Sequence, residues 1–153
     1  MKDQLPSPDP MPSVSAAPTT SPVALRYVAL GDSYTIGTSV SDGERFPKQL
    51  VERLVGQGIE VDLVANLGVN GYTSADLIDD ELPALAELDP DFVTLLIGVN
   101  DVVQGVPSST YRANVQQILG ALLDRLDRER IVIVSVPDYT RTPRGADFGN
   151  PEQ

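Results

Sequence analysis

Residues 92–101 read Phe-Val-Thr-Leu-Leu-Ile-Gly-Val-Asn-Asp. The first six are apolar apart from one threonine and show no alternation. A strand with one wet face alternates polar and apolar side chains; a strand covered on both faces need not. The run therefore predicts a buried parallel strand over 92–97, ending in a glycine and a polar pair. Parallel neighbours need long crossovers, usually helices. Upstream, Ser74 is placed to cap a helix carrying Leu77, Ile78, Leu82 and Leu85, with Pro83 set to kink or divide it. Downstream, Ser108 opens a helix with Tyr111, Val115, Ile118, Leu119, Leu122, Leu123 and Leu126 on one face.

The same alternation continues outward. Residues 25–30 (LRYVAL) form a candidate strand that runs into Gly31-Asp32-Ser33. Phe46, Leu50, Val51, Leu54 and Val55 recur at helical spacing, with Pro47 in the first turn and Gly56 and Gly58 at the exit. Residues 59–65 (IEVDLVA) and 131–136 (IVIVSV) complete four strands. Strand and helix in strict turn predict an α/β fold with a parallel sheet and right-handed crossovers. Residues 1–23 hold six prolines among Ser, Thr and Ala and have no apolar period to bury, so they read as a disordered tail. Residues 24–153 are expected to form one domain, loop-like after Pro137. The tail resembles linkers that follow export signals, yet no apolar signal core precedes it; a cytoplasmic chain and an exported one with its signal upstream are both compatible.

The 153 residues carry a net charge of −11 and include no cysteine and no histidine. Acidity of this size argues against nucleic acid and anionic membrane as partners. Disulfides, thiolate zinc sites and a cysteine nucleophile are excluded, and so are histidine ligands and a histidine base. No cofactor is implied, and no loop has the ligand spacing of a carboxylate metal site. No run approaches the roughly 18 consecutive apolar residues of a membrane span.

In open α/β sheets, ligands bind beyond the carboxyl ends of the strands. Three polar clusters fall there: residues 31–35 (GDSYT), 66–73 (NLGVNGYT) and 98–101 (GVND). A serine after a tight glycine turn, just before a helix, is well placed for nucleophilic attack, which makes Ser33 the candidate nucleophile. The attack creates an oxyanion. The backbone N–H groups of Ser33 and Gly71 and the side-chain amide of Asn100 are candidate donors to it. Asp101 reads as a structural hydrogen-bonding residue. Tyr34 and Thr35 suit pocket lining or helix-start packing equally. Tyr72 suits substrate contact or a surface position. Asp79-Asp80-Glu81 reads as a solvated helix face.

These clusters resemble the blocks of SGNH (GDSL-type) hydrolases. The family's first block is Gly-Asp-Ser, matched by Gly31-Asp32-Ser33. Its second is an Asn followed five residues later by the oxyanion glycine, matched by Asn66 and Gly71. Its third is Gly-x-Asn-Asp, matched by Gly98 to Asp101. The resemblance covers roughly residues 26–145. It includes the phrase LLIGVN and the stretch Pro137-Asp138-Tyr139 with Thr142-Pro143-Arg144-Gly145. It implies a serine ester hydrolase acting on a small-molecule or lipid ester. It further implies an acyl-enzyme on Ser33 and an oxyanion hole of Ser33, Gly71 and Asn100. The fold implied is a flavodoxin-like three-layer α/β/α with strand order 2-1-3-4-5. The family's last block, Asp-x-x-His, follows the fifth strand and has no counterpart here; neither Asp138 nor Asp147 is assigned to it. The expectation is a partial domain with sheet order 2-1-3-4, its fifth strand missing, truncated and near-inactive. The alternative is a non-catalytic binding module that keeps the oxyanion pocket.

Overall fold

The computed structural model describes residues 24–139. The expected tail at 1–23, and residues 140–153, lie outside the described residues. Four parallel strands form one sheet: β1 (Leu25–Gly31), β2 (Val61–Asn66), β3 (Phe92–Leu96) and β4 (Ile131–Ile133), in the order β2-β1-β3-β4. This is the arrangement that the resemblance implies, with helices on both faces.

Alternation along β1 builds the two faces. Val28 and Leu30 join Val93, Leu95 and Ile97 on one side, where Leu77, Leu85, Ile118 and Leu122 cover them. These come from the helical segment 74–88 and from α6 (Ser108–Leu123). Tyr27 and Ala29 point the other way, with Val61, against Leu50, Val51 and Leu54 of α2 (Phe46–Val55). Tyr27 donates to or accepts from Thr94 Oγ1 at 2.7 Å, so its buried hydroxyl is paired. Pro47 lies in the first turn of α2, as its fixed φ favours.

Two strand boundaries differ from the sequence reading by more than one residue, and one packing assignment differs, each for a physical reason. β2 starts at Val61 rather than residue 59, because the exit of α2 claims Ile59: its N–H bonds back to Leu54 O at 3.0 Å, and the side chain is exposed. β4 is regular only over three residues, not six. Its register sets Leu95 opposite Ile133, which puts Val136 level with Gly98, where the neighbouring chain has already turned away. Val134 N–H still reaches Leu95 O at 2.9 Å. Leu123 does not join the apolar face of α6. It is 55% exposed, because the buried stripe runs through Ile118 and Leu122 and leaves its neighbour a third of a turn away.

Pro83 does divide its helix. The segment runs as α3 (Ser74–Asp76), a π-turn (Leu77–Glu81) and α4 (Leu82–Leu88). Thr73, rather than Ser74, is the cap: its hydroxyl accepts the Asp76 N–H, and Asp76 answers with its carboxylate on Thr73 N–H at 2.8 Å. A proline cannot donate to the carbonyl four residues back, and its ring collides with that carbonyl. The widened turn just before Pro83, closed by Leu82 N–H on Leu77 O, accommodates both problems.

Candidate active site

Gly31 ends β1 with φ of 145°, and a Cβ there would lie 2.0 Å from Leu96 O. Only glycine fits this turn. Asp32 then caps α1 (Ser33–Ile36): Oδ1 accepts Tyr34 N–H at 2.9 Å, while its carbonyl takes the N–H groups of Thr35 and Ile36. Ser33 is therefore the first residue of a short helix, half-buried at the carboxyl edge of the sheet. Its N–H has no acceptor among the described residues, as expected for a first helical residue. Thr35 is buried and donates to Leu30 O at 3.3 Å, which makes it a packing residue of the helix start. Tyr34 is exposed.

The loop after β2 is fastened to this helix. Asn66 Nδ2 donates to Thr35 O at 2.8 Å, and its Oδ1 accepts Gly68 N–H at 3.2 Å. Gly68 lies so close to α1 that a Cβ would meet Ile36 N at 2.7 Å. Thr38 donates its hydroxyl to Asn70 Oδ1. Gly71 follows with φ of 83°, exposed, and its N–H meets no acceptor among the described residues.

The loop after β3 holds the second loop from the other side. Asn100, on α5 (Val99–Val103), donates Nδ2 to Tyr72 O at 2.9 Å. An amide has two N–H bonds, so one remains. Gln104, a turn further on, donates to Gly71 O at 3.0 Å. Gln104 was not singled out in the sequence; its spacing of four from Asn100 was the available signal. Asp101 is a structural residue, as read. It is 2% exposed and accepts both Ser74 N–H at 2.9 Å and Ser74 Oγ–H at 2.5 Å; Asn114 Nδ2 adds a bond to the same hydroxyl at 3.0 Å. The side chain of Tyr72 donates to Asp80 Oδ2 at 2.5 Å, and the carboxylate raises its pKa.

The acidic triplet requires a correction. Asp79 and Asp80 are exposed, but Glu81 is only 3% exposed and lies against the turn at Gly31. Gly31 N–H donates to its Oε2 at 2.9 Å. Burial, reinforced by the neighbouring acids Asp32 and Asp80 and opposed by the Gly31 bond, pushes its pKa up to about 8. Burial also raises Asp32, against the bond from Tyr34 N–H.

A cleft of about 600 Å³ opens beside Ser33, with Val40, Phe46, Leu96, Val134 and Pro137 among its walls. Among the described residues, no group of three or more acidic side chains is placed to hold a metal ion. No helix there is long and apolar enough to cross a membrane.

The model of the GDSL-like lipase/acylhydrolase family matches residues 29–153. An arylesterase of Vibrio mimicus is 26% identical over 103 residues, covering 65% of this chain and 49% of the relative. The chain thus spans about half the length of that relative. Among solved structures, AlinE4, an SGNH-hydrolase family esterase, superposes with a TM-score of 0.65 at 26% identity, over 74% of this chain and 60% of that one. TesA gives the same TM-score at 22% identity, over 79% and 66%, which shows likeness of fold.

Proposed function

The chain belongs to the GDSL-like lipase/acylhydrolase family, whose members act on esters, and from that premise we propose that its site is built for acyl transfer from a small carboxylic ester to Ser33 and then to water. Ser33 Oγ attacks the ester carbonyl, and the alcohol leaves as the acyl-enzyme forms. The oxyanion is met by Ser33 N–H, Gly71 N–H and the free N–H of Asn100. Each such donor contributes on the order of 3 kcal/mol, because it stabilises charge that develops only in the transition state. The apolar cleft beside Ser33 suits a short acyl or alcohol group.

One observation carries this reading. Three separate loops are cross-tied at one sheet edge by Asn66, Asn100 and Gln104, while the N–H groups of Ser33 and Gly71 are left without protein acceptors among the described residues. The half-buried Ser33 N–H is costly to leave unused unless water or a ligand takes it, and the exposed Gly71 N–H is open to either.

The 153 residues contain no histidine to receive the Ser33 proton. We therefore expect this chain to hydrolyse esters only weakly. Triads lacking a member keep about 10³–10⁴-fold over water. The test uses a p-nitrophenyl short-chain ester with two proteins: this chain, and the chain extended by a segment carrying an Asp-x-x-His block. Turnover should appear in the extended protein and vanish in its Ser33→Ala variant. Ordinary turnover by the 153 residues, or turnover indifferent to Ser33→Ala, would overturn the proposal. No turnover, together with Asn100-dependent binding of a short carboxylate, would favour a binding module.

A further inference from the structure

Two carboxyl groups beneath the Ser33 turn are left incomplete in complementary ways. Asp32 is fully buried; its Oδ1 is taken by Tyr34 N–H, and its Oδ2 has no partner among the described residues. Glu81 is 3% exposed; its Oε2 is taken by Gly31 N–H, and its Oε1 has no partner among the described residues. Buried polar atoms are rarely left unpaired, and a buried carboxylate pair with no cation is costlier still. The charges that act on these groups are all acidic. Asp80, on the π-turn with Glu81, and Asp32, on the β1–α1 turn, act on Glu81; Asp101, on α5, acts on Asp32. No lysine or arginine of the described residues is among them.

One proton held between them would give both orphaned oxygens a partner. We propose that Glu81 is a positioning residue for Ser33: its neutral carboxyl accepts Gly31 N–H through Oε2 and gives a hydrogen bond from Oε1 to Asp32 Oδ2, so that a shared-proton acid pair clamps the two residues before the nucleophile. No bond is made or broken; the proton stays on the pair. The clamp explains the placement of Glu81 on the inner side of its helix, level with Leu77 and Leu85. It also gives the turn a pH dependence. The pair holds one proton at neutral pH, and its loss at higher pH sets two buried negative charges against each other. The proposed role toward Ser33 rests on Ser33 being the nucleophile; the shared proton does not.

The experiment needs no ester turnover, so its failure is distinct from a failure of the proposed hydrolysis. Infrared spectra of the 153-residue chain at pH 6–7 should show the carbonyl band of a protonated carboxyl, and Glu81→Gln should remove it. Glutamine keeps an acceptor for Gly31 and a donor for Asp32, so the variant should fold and hold its urea midpoint at neutral pH. The group's pKa is raised in the folded state, to about 8 from 4.5. Its contribution is therefore complete below pH 4.5 and disappears as pH rises past 8. The wild-type midpoint should fall relative to Glu81→Gln between pH 5 and pH 9, and the gap should be constant below that window. A wild type with no protonated-carboxyl band at neutral pH, a band that survives Glu81→Gln, or a midpoint gap independent of pH would each overturn the proposal.

Discussion

Removing the Asp101 carboxylate should loosen the whole site edge, by an amount that the geometry bounds. Asp101→Ala strands two donors of Ser74, its N–H and its Oγ–H, at a residue with no exposure. A hydrogen bond to a charged partner is worth about 1.5–3 kcal/mol when only one side is deleted. The hydroxyl can rotate, although Asn114 already donates to it and so limits its turn. The expected loss is about 2–4 kcal/mol. Ser74→Ala is milder, because Asp101 keeps the backbone N–H; about 1–2 kcal/mol should go. The double variant should lose less than the sum, with a coupling of at least about 1 kcal/mol, since both changes break the same 2.5 Å bond. Urea unfolding followed by circular dichroism measures all three, and for a chain of this size each kcal/mol also moves Tm by about 2–4 °C. Additivity to within about 0.5 kcal/mol would refute the argument, because it would mean that the two side chains do not depend on each other.

Gly31→Ala should cost at least about 3 kcal/mol by the same assay, since its Cβ has 2.0 Å to Leu96 O and the backbone conformation is one that side chains rarely adopt. Leu122→Ala should cost about 2–5 kcal/mol and Leu123→Ala under about 1 kcal/mol, and equal losses would show the phase of α6 to be wrong. In the protein extended with an Asp-x-x-His block, Asn100→Ala should lower kcat about 10²–10³-fold with a modest change in KM; a change confined to KM would remove Asn100 from the oxyanion role.

The strands and their loops were legible because they rest on local chemistry. A nearly continuous apolar run such as 92–97 suits a strand covered on both faces, and a glycine with a polar pair at its end marks the edge where the chain turns. The three blocks that implicate Ser33, Gly71 and Asn100 lie at that edge for this reason. Glu81 was misread because composition was weighed above phase. It sits four residues from both Leu77 and Leu85, which places it inside, but an acidic triplet ordinarily faces water. What permits its burial is protonation, and that depends on distant residues, Gly31 and Asp32. Leu123 failed in the opposite direction: an apolar residue was assigned to the core by type, while the stripe through Ile118 and Leu122 passes beside it. The short extent of β4 was not readable from its own residues, because the turn at Gly98 on another strand limits it.

The π-turn at Leu77–Glu81 also bears on which insertions and deletions the chain tolerates. A helix without it would need one residue fewer between Thr73 and Leu82. Deleting one residue there, at exposed Asp79 for example, would restore a uniform helix and leave its two halves nearly in phase, because the wide turn takes up one residue without turning the rest of the helix. The two halves answer to different anchors: Ser74 to Asp101, and Leu85 to the sheet. A relative lacking that residue would keep both anchors, so homologous chains aligned across this helix should accept a one-residue gap here with the flanking inward-facing positions in place.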